Sequence, residues 1–388
     1  MNVKSITAAI LLAATLSTAP FFAPQGHAQQ VTKIKVKAKK PLIHKESGIT
    51  LPYKMAGYER DSAASYSPTN LNISAQFSPK DESEFFSIYI FRATNGNAPI
   101  WFDRANYAIT SRNIFGDLTP ISAAQPFTPT GQNQSSGLQI IYDAKGKGFK
   151  STGLMFFQMG EFYIKIRASS KIKNGEELKK WMEIGASEII APKNSRQFPI
   201  AVPVQPCATK MITFEDAQII KSDDEEDMSA GIYSALLGMT DPSDISAEGA
   251  EAAEQAPATW CRDDQYNAPP GAIYRAGESM NSYLLAFGDS GNALSVGPND
   301  LIAAINAADT KSADDAVDRD QEGIEDQDTL DAPPISITII VEDKKVHFSP
   351  RNKLPSPNLV MKILDNESPV SSNGTWGKNK NNVNIFTK

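Results

Sequence analysis

The residues best suited to chemistry are Gly288-Asp289-Ser290-Gly291, a serine hydroxyl flanked by glycines. Backbone N–H groups around such a serine can stabilise an oxyanion, provided a histidine takes the hydroxyl proton. Beyond residue 28 the chain holds two histidines, His44 and His347. The competing reading is a Gly-Asp-Ser-Gly-Asn turn joining two strands, which turn chemistry alone explains. Ser170-Lys171-Ile172-Lys173 offers a second serine, spaced three residues from a lysine; the plainer reading is a serine that ends a strand. Paired carboxylates are a further source of hydrolytic chemistry, because any two acids can meet in space.

The chain contains two cysteines, Cys207 and Cys261. In an exported protein a lone pair predicts one disulfide; buried free thiols are the alternative. Two distant histidines and two oxidised cysteines cannot assemble a closed zinc site, and no P-loop or Gly-x-Gly-x-x-Gly fingerprint is present. Trp260, Tyr266, Tyr274 and Tyr283 surround Cys261 in sequence. They read as core packed against the disulfide, or else as the floor of a binding cleft. Lys33, Lys35, Lys37, Lys39 and Lys40 suit an anionic partner such as lipid headgroups or envelope polymers. They equally suit an edge strand that lysines guard against edge-to-edge pairing.

Three strings resemble known motifs. Gly288 to Gly291 resembles the nucleophile motif of chymotrypsin-like serine proteases, which implies a histidine base. His44 lies in Leu42-Ile43-His44-Lys45, not in the Ala-Ala-His-Cys context of that family, and Asn292 stands where a further glycine is usual. Ser170-x-x-Lys173 is similar to the Ser-x-x-Lys of penicillin-recognising enzymes, but the chain has no Ser-Asp-Asn or Lys-Thr-Gly partner. Residues 318–323 resemble the start of an EF-hand loop, which implies calcium ligands at Asp318, Asp320 and Glu322. The pattern departs where Thr329 replaces the position-twelve glutamate and Ile324 falls one place early, so a solvated linker is the competing reading.

Met1-Asn2-Val3-Lys4, an apolar stretch over 6–16 and Gly26-His27-Ala28 form the three parts of a secretory leader. Cleavage is expected between Ala28 and Gln29, leaving 360 of the 388 residues, enough for two domains at roughly 150 residues each. No later apolar run approaches ~18 residues, so no transmembrane anchoring is expected after cleavage. The expected location is periplasmic or secreted.

The net charge of −7 conceals a segregated pattern. Residues 29–204 hold 23 Lys/Arg against 14 Asp/Glu, whereas 215–256 hold 12 acids and one base, and 307–334 hold ten acids and two bases. The two acidic segments carry few large apolar groups, so they are expected to be flexible, solvated excursions.

Period-two alternation predicts strands over 34–39 and 71–77, a nearly continuous apolar run predicts one covered on both faces over 85–91, and three more are expected over 138–142, 153–159 and 161–167. Met159-Gly160-Glu161 is the expected hairpin turn. Helices are expected over 98–112, with Pro99 in the first turn, and from an N-cap at Asn174 to a stop before Pro192. The fold class is therefore α+β: an antiparallel sheet flanked by helices over 29–204. A smaller α+β domain follows over 205–388, interrupted by the acidic excursions. It has expected strands at 211–214, 283–287, 293–296, 335–341 and 345–348, a helix over 299–307, and a loosely ordered stretch over 371–384. In layout, residues 45–192 resemble the PsbP-like fold of the extrinsic photosystem II lumenal protein and its bacterial relatives. That resemblance implies a non-catalytic binding or assembly role.

The expectation is an exported, non-enzymatic binding or assembly protein of a bacterial envelope. The alternatives are an exported hydrolase using Ser290 or carboxylates, and a calcium-responsive module. No cofactor is expected apart from calcium, and no nucleic-acid partner.

Overall fold

Apolar residues set the strands of the first half, alternating with polar ones over Asn72–Phe77 and running almost continuously through Gly137–Ala144 and Ser151–Met159. A computed structural model describes residues 31–37, 39–193, 195–220, 259–266, 271–298 and 333–386. The first half supplies β1 (Thr32–Lys33), β2 (Leu42–Ile43), β3 (Thr50–Leu51), β4 (Lys54–Met55), β5 (Tyr58–Ser65), β6 (Asn72–Phe77) and β7 (Glu84–Arg92). Helix α1 (Ala98–Thr110) comes next, then β8 (Leu118–Pro120), β9 (Gln125–Phe127), β10 (Gly137–Ala144), β11 (Ser151–Met159), β12 (Phe162–Ser170) and α2 (Gly175–Ser187). Ten of these strands form one antiparallel sheet, ordered β1-β5-β6-β7-β12-β11-β10-β8, with β4 added at β5 and β9 at β10.

The central strand β7 lies between β6 and β12. Its even-numbered residues Phe86, Ile88 and Ile90 pack with Leu178, Trp181 and Met182 of α2. On the opposite face Phe91, Phe156 and Tyr163 pack with Ile100, Trp101 and Ala105 of α1. Helix α2 starts where the sequence predicts: Glu177 N–H donates to the Asn174 side chain at 3.0 Å, and Asn174 N–H to the Glu177 carboxylate at 2.9 Å. Gly185 lets α2 approach the sheet, since a Cβ there would lie 2.4 Å from the Phe86 ring.

The second half supplies β13 (Gln205–Pro206), β14 (Trp260–Arg262), β15 (Gly271–Ala276), β16 (Tyr283–Phe287), β17 (Asn292–Pro298), β18 (Ile335–Val341) and β19 (Lys344–Arg351). Helix α3 (Pro357–Asn366), β20 (Ser371–Gly374) and β21 (Val383–Ile385) complete it. These nine strands pair in chain order, β13 with β14 in parallel and the rest antiparallel. The described residues are thus α+β with two large sheets, and β2 and β3 form a separate two-stranded one. A third apolar cluster joins Leu285, Ile337 and Phe348 to Val360 and Ile363 of α3. The second cluster bridges the halves, because Tyr274, Leu284, Ala286 and Ala293 complete the core around α1.

Three expectations are corrected, and two elements are new. The first strand is Thr32–Lys33 rather than 34–39, because only Ile34 N–H beyond it reaches β5, at 2.9 Å to Ala63 O. Residues 211–214 form no strand; Met211 is core, and Phe214 makes an isolated parallel bridge to Pro355. The stretch 371–384 is ordered: polar Ser371, Ser372 and Asn373 are buried on β20, paired with β19 and β21. Strand β5, with six charged or hydroxyl side chains among its eight residues, and helix α3 carry no expectation at all. The expected helix over 299–307 and nearly all of both acidic segments lie outside the described residues.

Cys207 and Cys261 form a disulfide, with Cα atoms 4.8 Å apart. It reinforces the β13–β14 pairing, which continues as Cys207 N–H donating to Arg262 O at 2.9 Å. A disulfide persists in an oxidising compartment. Among the described residues no helix is long and apolar enough to cross a membrane. Closure of a loop with a sequence separation of 54 contributes about 4 kcal/mol by the chain-entropy argument. Thermal unfolding with and without reductant should therefore show a lower melting temperature for the reduced chain, and Cys207→Ser should reproduce the loss without reductant.

Candidate functional site

Ser290 sits in the turn between β16 and β17, where Phe287 pairs with Asn292. Gly288 and Gly291 have φ of 60° and 91°, backbone conformations that glycine adopts without strain. The turn is docked on the first sheet. Arg104 Nε donates to Gly288 O at 2.9 Å, Thr94 Oγ1 to Gly291 O at 3.0 Å, and Lys165 Nζ to Asp289 O at 3.0 Å. Lys165 Nζ also lies 2.9 Å from the Asp289 carboxylate. His44 is engaged elsewhere, with Ser47 Oγ at 2.6 Å and Asn70 O at 2.7 Å, and His347 with Thr338 Oγ1 at 3.0 Å. The string that looks like a nucleophile motif is used as a joint between the two sheets.

Lys165 is on the α1 face of β12, opposite Tyr89 of β7, and its side chain is only 5% exposed. Its ammonium lies 4.7 Å from the Tyr89 ring centre and 5.5 Å from that of Phe91. Burial lowers the Lys165 pKa from its ordinary value, while the Asp289 carboxylate favours the charged form. For Asp289, burial would raise the pKa, but Lys165, Arg167 and Arg112 outweigh it and hold the carboxyl below its ordinary value. Arg167 follows two residues along β12, on the same face and opposite Ser87. Arg112, just beyond α1, acts electrostatically on Tyr89, Lys165, Arg167 and Asp289 alike. Three cations thus face one carboxylate.

The sequence contained one sign of this cluster. Lys165 and Arg167 interrupt a strand that is otherwise apolar up to Ala168, and nothing local answers their charge. Their partner Asp289 is 124 residues away from Lys165, a separation that no periodicity reveals.

Ser170 does end β12, but its hydroxyl also donates to the fully buried Glu84 at 3.0 Å. Lys173 Nζ reaches the same carboxylate at 2.5 Å, and Tyr58 OH donates to its other oxygen. Backbone N–H groups of Ile172 and Lys173 donate to Ser170 Oγ at 3.1 and 2.8 Å. Burial, and then the Glu84 hydrogen bond, push the Tyr58 hydroxyl up to about 12. This network ties β5, β7 and β12 to the approach to α2.

The aromatics around Cys261 divide between two cores. Tyr274 and the partly buried Trp260 belong to the cluster that includes α1, whereas Tyr283 and Tyr266 belong to the α3 cluster. Tyr274 OH donates to Asp103 of α1 at 2.7 Å, and Arg262 reaches the same carboxylate at 2.9 Å. Tyr266 also lines a surface hollow of about 440 Å³ with Lys210, Met211, Ile212, Thr213 and Gln265. Beside the disulfide, Arg275 and Asp263 form a fully buried pair at 3.1 Å, and Arg275 donates to Thr209 O.

Lys33 lies on the edge strand β1, and Lys35, Lys37, Lys39 and Lys40 follow it, all exposed. Ile34 and Val36 between them pack against the α2 core. Asp318, Asp320 and Glu322, and the expected cleavage pair Ala28 and Gln29, lie outside the described residues. Among the described residues, no three His, Cys, Asp or Glu side chains group so as to hold a metal ion.

No family model and no curated protein matches the chain. A crystal structure from Bacteroides thetaiotaomicron is similar at 10% identity, with a TM-score of 0.20, over 66% of this chain and 88% of that one.

Two tests address the buried charges. Lys173→Met removes the cation from a carboxylate with no exposure, and should lower the unfolding free energy by roughly 3 kcal/mol or more in urea. His347 is held at about 4 instead of 6.5 by burial and then by Lys345. The unfolded chain therefore binds the proton first, and stability falls as pH drops through that window. His44 is also lowered by burial and acts in the same direction. Urea unfolding at about pH 7 and about pH 4 should show a smaller loss for His347→Gln than for the parent chain.

Proposed function

We propose that the protein is exported and acts by binding or assembly in a bacterial envelope, without catalysis. The observation that carries this reading is the use of Gly288 to Gly291. Three backbone carbonyls and the Asp289 carboxylate of that turn accept hydrogen bonds or charge from the first half of the chain. An oxyanion hole needs donors aimed at a reacting atom, and here the turn is held chiefly through its acceptors. Export is supported by the disulfide, which persists outside a reducing cytosol, and by the leader-like residues 1–28. Binding is supported by the positive charge at Arg112 and Arg167 beside Lys165, whose ammonium already takes the Asp289 carboxylate, because half-buried cations favour an anionic neighbour.

The test is a thermal-shift screen of the chain lacking residues 1–28 against divalent cations, envelope polymers and small metabolites, with ester hydrolysis measured in parallel. A ligand that binds the native state preferentially raises its melting temperature. At least one polymer or metabolite should do so, and hydrolysis should not depend on Ser290. Ester turnover abolished by Ser290→Ala, or an intact Met1 terminus on protein recovered from cytosol, would overturn the proposal.

A further inference from the structure

The α1 face of the first sheet is apolar where α1 and the second sheet cover it, and changes character at β12. Phe156, Lys165, Tyr89 and Ser74 are aligned across β11, β12, β7 and β6, and the next row is Leu154, Arg167, Ser87 and Gln76. Along these two rows the sheet turns from aromatic to cationic and hydroxyl-bearing. The Asp289 turn closes one side, and its carboxylate is held by Lys165. Among the described residues, neither Arg112 nor Arg167 has a carboxylate within salt-bridge distance, and both are half-buried. One carboxylate answers three cations, which leaves two positive charges in a partly desolvated place.

An uncompensated pair of guanidinium groups is costly away from bulk water, and a bound anion with hydrogen-bonding oxygens offsets that cost. Guanidinium presents its N–H donors as a planar fork that matches the spacing of carboxylate and phosphate oxygens. Ser74 and Ser87, on the neighbouring strands in register with this face, can add neutral donors.

We propose that Arg112, Lys165 and Arg167, beside the 288–291 turn, form a binding site for an oxyanion carried by an external ligand. The ligand class is an acidic saccharide or a phosphorylated small molecule, both of which present the same negatively charged oxygens. Arg167 and Arg112 supply the forks. Lys165 fixes the turn and adds charge from below. Asp289 limits the affinity by occupying part of the positive field. This site rests on the binding reading above and gives that reading a place and a chemistry.

Calorimetric titration of the chain lacking residues 1–28 tests it, using inorganic phosphate and glucuronate as probes, each against sodium chloride at matched low ionic strength. Saturable one-to-one binding of at least one probe is expected, and which probe binds tells phosphate from carboxylate recognition. Arg167→Gln and Arg112→Gln should each weaken it roughly tenfold or more, as loss of a charge-assisted hydrogen bond requires. Asp289→Asn should tighten it, an effect that a purely structural role would not produce. Melting temperatures of all three variants show which of them are folded, and the folded ones decide the result. The site is overturned by the absence of saturable binding for both probes, by unchanged affinity in a folded Arg167→Gln or Arg112→Gln variant, or by weaker binding in a folded Asp289→Asn. If both probes fail while the thermal screen finds another ligand, this site falls and the wider binding reading stands; if both experiments fail, both fall.

Discussion

A lysine on the inner face of a sheet has to be answered, and at Lys165 the answer comes from the far half of the chain. Its ammonium is shielded by the Tyr89 and Phe91 rings and neutralised by Asp289, whose backbone carbonyl it also holds. Removing a charge from water is expensive, and this geometry recovers the cost only if the β16–β17 turn stays seated. The seating brings Thr94 and Arg104 into hydrogen-bond distance of the flanking carbonyls. It also leaves Leu284, Ala286 and Ala293 packed in the core that surrounds α1.

Other polar contacts repeat the same logic at lower burial. Asp103 of α1 takes hydrogen bonds from both Arg262 and Tyr274 of the second sheet. Arg92, at the end of β7, donates to Glu342 O and to Thr375, while its guanidinium stacks 4.6 Å from the Trp376 ring centre. Charge on one half therefore meets a carboxylate or carbonyl on the other at several separate points, and apolar burial fills the space between them. Burial supplies most of the favourable energy of such an arrangement, and the polar contacts fix its register.

What could be read from the sequence divides along physical lines. Period-two alternation marks β6, a nearly continuous apolar run marks β7, short apolar stretches mark β10, β11 and β12, and local capping chemistry marks α2, because those signals are contained within a few residues. Strand β5 was invisible because tertiary pairing with β6, not its own polar sequence, makes it a strand. Strand β20 reads as loose chain in the sequence because serine and asparagine bury there only once β19 and β21 satisfy the backbone. The Cys207–Cys261 bond followed from counting, whereas the Lys165–Asp289 pair joins residues with no local mark of each other. Gly288 to Gly291 illustrates the point from the other side: four residues that fit a catalytic pattern also fit a hairpin, and only the surroundings tell the two apart.

The disulfide has a consequence for how the chain tolerates cleavage. Cys207 and Cys261 bracket residues 208–260, and the bond between them spans the base of that insertion. A protease that cut once within it would yield two polypeptides still joined through sulfur. The first sheet and β13 would lie on one piece and β14 to β21 on the other, joined also by the β13–β14 pairing and the shared apolar layer. One break in the backbone between the two cysteines would thus leave the body of the molecule a single covalent unit.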